Sequence, residues 1–167
     1  MTARTGVLMV CLGNICRSPM AKGVLARMIS ERGLDGKLWV DSCGTGSWHV
    51  GGGADPRTLA EMAQRGERLE HVARQFDAVA DADRFTWILA MDRANVRALG
   101  RMGLPRERVR FLREFDPALT GLDESAWEVP DPYYGGQEGF AKMYEMIVAS
   151  CRGFLDHLEA RDRAAIP

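Results

Sequence analysis

Val7-Leu8-Met9-Val10-Cys11-Leu12-Gly13-Asn14-Ile15-Cys16-Arg17-Ser18-Pro19 runs from an apolar tetrapeptide through a short loop into a helical pattern. The apolar run predicts a buried strand, and Met20, Val24, Met28 and Ile29 recur behind the loop at helical spacing. A strand that turns directly into a helix is the first half of a βαβ unit, and ligands bind at the C-terminal ends of strands in open α/β sheets. Ser18 suits the N-cap and Pro19 the first helical position, where its missing N–H is no loss. Gly13 can take positive φ at little cost and Asn14 tolerates a left-handed conformation, so the chain can curl until successive N–H groups point inward. Such a nest binds an anion.

The loop therefore reads as an anion cradle, with Leu12, Gly13, Asn14, Ile15, Cys16, Arg17 and Ser18 as the phosphate-binding residues. The helix dipole adds partial positive charge, and the planar fork of Arg17 can hold two phosphate oxygens. Both stabilise a thiolate at Cys11, since cationic neighbours and helix N-termini lower a cysteine from its usual value near ~8.5. An ionised thiol can attack phosphorus. The bare spacing C-x5-R is weak evidence in a chain rich in arginine, so the strand before it and the helix after it carry the reading.

Outward from the loop, residues 6–11, 38–42, 86–91 and 108–112 read as four strands. Helical patterns lie near 56–65 and 92–101, and Phe140, Met143, Tyr144, Ile147, Val148, Cys151, Leu155 and Leu158 form a helical stripe that should pack on the sheet. The expected fold is a single α/β domain spanning 1–167, a four-stranded parallel sheet flanked by helices on both faces. Residues 113–136, with Pro117, Pro130 and Pro132, read as a long loop of the kind that is usually functional. Within it Asp131, stiffened by a proline on each side, is the candidate proton donor for a departing oxygen; Asp92 is the rival for that role and otherwise reads as a helix cap before Arg93-Ala94-Asn95.

A mass of 18.5 kDa and 46% hydrophobic residues fit one domain with a sizeable core. A formal charge of −1 gives no reason to expect nucleic-acid binding, and no run approaches the ~18 apolar residues of a membrane span. Four cysteines without paired spacing do not form a disulfide framework, and a catalytic thiol needs a reducing compartment, so a cytoplasmic protein is expected. No zinc spacing is present, and neither metal nor cofactor is expected. His49 and His157 read as surface or packing residues. Cys16, five residues after Cys11, has two readings: a small structural residue, or the partner of a disulfide that blocks the nucleophile and spares it irreversible oxidation.

The loop together with Asp41-Ser42, Gly44-Thr45-Gly46, Trp48-His49-Val50-Gly51, Asp55-Pro56-Arg57, His71-Val72-Ala73-Arg74-Gln75, Ile88-Leu89-Ala90-Met91-Asp92 and Asp131-Pro132-Tyr133-Tyr134-Gly135 resembles the low-molecular-weight protein tyrosine phosphatases over most of the chain. One departure is Cys43, where the family usually has a small apolar residue. The resemblance implies hydrolysis of phosphotyrosine through a phosphocysteine at Cys11, with Arg17 on the phosphate and Asp131 as acid and then base; in that mechanism Ser18 can hydrogen-bond the sulfur and ease its departure, while Asn14 holds the loop's shape. It implies a slot walled by Leu12, Trp48, Tyr133 and Tyr134. It also implies that Asp41 and His71 lie together behind the loop in a structural role. Phosphotyrosine proteins, with a tyrosine kinase as one candidate, are the expected partners, and the chain is expected to be monomeric or weakly self-associating. Three alternatives stand beside this reading. Arsenate reductases of the same fold need resolving cysteines in a flexible segment, which are absent here. Phosphoarginine phosphatases of the fold carry threonine where Ile15 stands, and a binding module would need neither Cys11 nor Asp131.

Overall fold

A computed structural model describes residues 3–166. Four strands, β1 (Thr5–Cys11), β2 (Leu38–Gly44), β3 (Trp87–Ala90) and β4 (Val109–Phe111), form one parallel sheet in the order β2-β1-β3-β4. The helices are α1 (Arg17–Glu31), α2 (Pro56–Gln64), α3 (Ala80–Arg84), α4 (Arg93–Arg101) and α5 (Gln137–Ala164). Val7 and Met9 of β1 belong to a core with Met20, Val24 and Met28 of α1 and Phe140, Ile147 and Phe154 of α5. Leu8 and Val10 point the other way, into a core with Phe76, Phe85, Leu99 and Leu104. Helices thus cover both faces, as the sequence led us to expect. It also explains why β1 is a continuous apolar run: a parallel strand buried on both sides has no solvent face to alternate with.

Because β1 is central and the chain goes first to β2 on one side and then to β3 on the other, the order reverses beside β1. The carboxyl ends of β1 and β3 therefore flank a crevice, the usual ligand position in a doubly wound sheet. The loop after β1 and Asp92 after β3 both open into it.

Where the observed elements differ from expectation, local side chains decide. β2 runs on to Gly44 because Cys11 pairs with Gly44 in register, whereas β3 and β4 are shorter than 86–91 and 108–112. The short helix α3 and the 3-10 turns Arg106–Arg108, Leu112–Phe115 and Pro117–Leu119 were not foreseen. They are too short for periodicity and two are set by carboxylates: Glu114 accepts from the Phe111 N–H at 2.9 Å and Asp116 from the Ala118 N–H at 2.9 Å. The stripe on α5 packs as expected, with Phe154 added to it. Gly153 lets α5 approach the Leu112–Phe115 turn, since a Cβ there would stand 1.8 Å from the Phe115 carbonyl oxygen. No helix among the described residues is long and apolar enough to cross a membrane.

Candidate active site

Cys11 ends β1 and Arg17 begins α1, so the loop between them has only five residues in which to reverse its hydrogen bonding. It does so by turning its carbonyls outward. Thr45 and Gly46 donate to the carbonyls of Cys11 and Leu12 at 2.9 Å each, and Asp55 donates to that of Ile15 at 2.8 Å. The N–H groups of Gly13 through Ser18 donate to no protein group among the described residues, and the helix has no side-chain cap. Free donors at a helix N-terminus are what an anion requires.

Two local expectations need correction. Gly13 does not take positive φ; Asn14 alone in the loop does, at φ 56°. Glycine at position 13 relieves crowding, because a Cβ would stand a tight 3.0 Å from His49 Cδ2 and the ring would have to give way. Ser18 is not the N-cap: α1 starts at Arg17, two residues earlier than expected, and Cys16 occupies the cap position. The Ser18 hydroxyl instead lies 2.9 Å from Cys11 Sγ.

Asn14 accounts for that arrangement. Its Oδ1 accepts from the Arg74 N–H at 2.9 Å, which fixes the amide orientation and leaves Nδ2 to donate to Ser18 Oγ at 2.8 Å and Ser42 Oγ at 3.0 Å. With a lone pair of Ser18 occupied by Asn14, the hydroxyl proton is free to point at the sulfur, a closer acceptor than the Cys43 carbonyl at 3.3 Å. His71 Nε2 sits 2.6 Å from the Asn14 carbonyl; a carbonyl only accepts, so this nitrogen carries the proton. Burial, with Lys22 adding to it, holds His71 below its usual range against the pull of the Asn14 bond, and its Nδ1 is buried without a partner. Asp41 does not hydrogen-bond to His71. Its carboxylate binds Lys22 at 3.0 Å and Arg74 at 3.1 Å, so the two residues brace the loop by separate routes, His71 through Asn14 and Asp41 through Arg74. Gly44 permits the close approach of β2, since a Cβ would stand 2.7 Å from the Leu12 carbonyl oxygen.

Arg17 is 2% exposed. Its Nη1 donates to Asp92 Oδ2 at 2.5 Å and to the Val129 carbonyl at 3.0 Å, and its Nη2 reaches Asp131 Oδ2 at 3.4 Å. Burial works against its charge, but Cys11, Asp92 and Asp131 outweigh that and raise it above its ordinary value. Asp92 is the N-cap of α4, as its sequence context indicated, and is also the partner that fixes Arg17. Asp131 is 41% exposed and its Oδ1 accepts from the Tyr133 N–H at 3.1 Å.

A cavity of about 340 Å³ is lined by Cys11, Leu12, Gly13, Ile15, Cys16, Arg17, Trp48, His49, Asp131, Tyr133 and Tyr134. Cys11, Arg17 and Asp131, the expected nucleophile, phosphate ligand and acid, thus meet the expected aromatic walls in one place. Asn14 and Ser18 do not line it; they are fully buried and act from behind. Trp48, 73% exposed, lies over Gly46, where a Cβ would stand 1.9 Å from its ring. His49, read from the sequence as a surface or packing residue, is part of the wall, with its ring 6.5 Å from that of Tyr133. His157 packs edge-on against Trp87, away from the site. Cys16 is buried at the cavity floor, and burial with the nearby charges of Asp55 and Cys11 pushes its thiol up to about 12. Cys43 faces the core on the opposite side of the sheet from Cys11. Among the described residues no three His, Cys, Asp or Glu side chains converge as a metal site would require.

A family model described as low molecular weight phosphotyrosine protein phosphatase matches residues 6–164. A low molecular weight protein-tyrosine-phosphatase of Streptomyces coelicolor is 47% identical over 153 residues, covering 89% of this chain and 90% of the relative. The crystal structure of a protein tyrosine phosphatase from Entamoeba histolytica with Hepes in its active site aligns with a TM-score of 0.85 at 33% identity, over 95% of this chain and 99% of the other. A Drosophila arginine phosphatase aligns with a TM-score of 0.80 at 32% identity, over 91% and 96% of the two chains.

Proposed function

The chain belongs to the low molecular weight phosphotyrosine protein phosphatase family and is a protein-tyrosine phosphatase; on that premise we propose that Cys11, Arg17 and Asp131 carry its reaction. The Cys11 thiolate attacks phosphorus in line, while the free N–H groups of the loop and Arg17 stabilise the equatorial oxygens. The bond from phosphorus to the tyrosyl oxygen breaks, and Asp131 gives that oxygen its proton. Water then attacks the phosphocysteine, with the Asp131 carboxylate taking a proton from it and the Ser18 hydroxyl stabilising the departing sulfur. The observation that carries this assignment is the convergence of a buried thiol, an uncapped helix N-terminus and a carboxylate 3.4 Å from Arg17 in one aromatic-walled cavity.

The substrates are phosphoproteins, and the walls favour phosphotyrosine among phosphoamino acids. Trp48, His49 and Tyr133 line the same cavity as Cys11, and a phenyl ring can stack on such walls where a seryl side chain has no ring to offer. Ile15 brings an apolar side chain to the cavity where a cationic guanidinium leaving group would need a polar partner. Peptides carrying phosphotyrosine, phosphoserine or phosphoarginine, assayed in parallel, test this. Phosphotyrosine should lead in kcat/KM by at least about 100-fold, and Asp131→Ala should cost on the order of 10² to 10⁴-fold on it. Equal or faster release of phosphate from phosphoarginine would overturn the substrate class.

Cys16 is proposed as a redox guard for Cys11. Peroxide oxidises the Cys11 thiolate to a sulfenic acid, and the Cys16 sulfur displaces water from it to form a disulfide. Its raised value, about 12, keeps Cys16 a protonated thiol at neutral pH, so it does not compete as the first site of attack. Mild peroxide should therefore yield an inactive species two mass units lighter that dithiothreitol restores. Inactivation with Cys11 further oxygenated and no Cys11–Cys16 linkage would remove this role.

A further inference from the structure

The loop that carries Asp131 is held from two sides. On the inner side, Val129 donates to the Met91 carbonyl at 2.7 Å and accepts from Arg17 at 3.0 Å. On the outer side the attachment converges on Arg57, at the start of α2. Its Nη1 donates to the carbonyl oxygens of Tyr133 at 2.8 Å and Gly135 at 3.1 Å, and its own carbonyl accepts from Gln137 Nε2 at 3.0 Å. The opposite edge of the guanidinium is fixed by Asp55, whose Oδ1 accepts from Nε at 3.0 Å and whose Oδ2 accepts from Nη2 at 2.8 Å. Asp55 is itself the N-cap of α2 and is buried. The guanidinium also lies 4.7 Å from the Phe140 ring centre and 5.4 Å from that of Tyr133.

This makes a two-link connection to the carboxyl. Arg57 holds the Tyr133 carbonyl, and the N–H of the same residue holds Asp131 Oδ1. We propose that Arg57 is a positioning residue for the general acid: by clamping the Tyr133–Gly135 backbone to α2 it sets where the Asp131 proton is delivered. The inference rests on the reading of Asp131 as that acid. Placement matters at this scale, because a displacement of about 1 Å can cost on the order of 10²-fold in rate. Only a planar fork can grip a carboxylate along one edge and two carbonyls with the other, so lysine should not substitute.

The experiment measures kcat/KM for aryl phosphates whose leaving groups range from 4-nitrophenol, which departs readily without a proton, to phenol, which does not. The parent, Arg57→Met, Asp131→Ala and the double variant are compared. A general acid flattens the dependence on leaving group; Asp131→Ala should steepen it, and Arg57→Met should steepen it partway. We expect Arg57→Met to lose under about threefold on the nitrophenyl ester and about 10- to 100-fold on the phenyl ester, with the double variant matching Asp131→Ala in slope. A uniform loss across the series would assign Arg57 a merely structural or wall-forming role and overturn the proposal. A series in which Asp131→Ala leaves the slope flat would instead overturn the acid assignment, and the positioning role with it. Arg57→Lys provides the same test if the methionine variant does not fold: a slope restored to that of the parent would show that charge alone suffices and also overturn the proposal.

Discussion

Cys11→Ser should reduce kcat toward phosphotyrosine by on the order of 10⁴-fold or more while leaving affinity for a phosphotyrosine peptide within a few-fold of the parent. The site is arranged for a sulfur anion. Free loop N–H groups and an uncapped helix terminus lie beside it, Arg17 lines the same cavity, and the Ser18 hydroxyl is 2.9 Å from Sγ. None of them can take a proton, and serine stays protonated at neutral pH, so the alcohol would need a base that the floor of the cavity lacks. The donors that grip the phosphate are untouched by the change. Single-turnover kinetics and peptide titration separate the two effects, and retention of turnover within tenfold would exclude Cys11 as the nucleophile.

How much of this site could be read from the sequence follows the range of the interactions. The strand, loop and helix of the cradle were legible because they are contiguous from Val7 to Met28, and the proposed acid stood out because prolines on both sides mark Asp131. What escaped was long-range or depended on how a residue is used. Nothing in the sequence near His49 says that its ring fills the space beside Gly13, and nothing near Asp92 says that a helix cap also fixes an arginine 75 positions earlier. Arg57 lies 76 positions from the carbonyl it holds. Ser18 shows why propensity misleads at a functional site. Serine before a helix ordinarily caps it, but a side-chain cap here would occupy the N–H groups that the phosphate needs. The hydroxyl is diverted to sulfur, and the helix is left open toward the ligand.

Arg17 connects these parts, and its replacement by lysine is the second change with a large expected effect. In the folded chain one edge of its guanidinium is committed to Asp92 and the Val129 carbonyl, and the other points toward Asp131 and the cavity. An ammonium at the end of a lysine keeps the positive charge near Cys11 but has no fork. It must choose between the buried anchor and the phosphate oxygens. Arg17→Lys should therefore lose on the order of 10² to 10³-fold in kcat, the scale of losing a preorganised donor to transition-state charge, although the net charge of the site is unchanged. Arg17→Met removes the charge as well and leaves the Asp92 carboxylate, among the described residues, with only the Asn95 N–H at 2.7 Å, so it should also lower the unfolding midpoint, which Arg17→Lys should shift less. Asp92→Asn separates anchoring from contact with substrate. When the asparagine oxygen keeps the α4 cap, its NH2 faces Arg17 Nη1 donor to donor, so Asp92→Asn should loosen the buried arginine, with a loss of about tenfold or more in kcat and a lowered unfolding midpoint, while Arg17 keeps its full set of donors. Parent-like turnover in Arg17→Lys, measured on a phosphotyrosine peptide at saturation, would mean that the site uses this residue as a point charge and that its two-edged geometry does not contribute to catalysis.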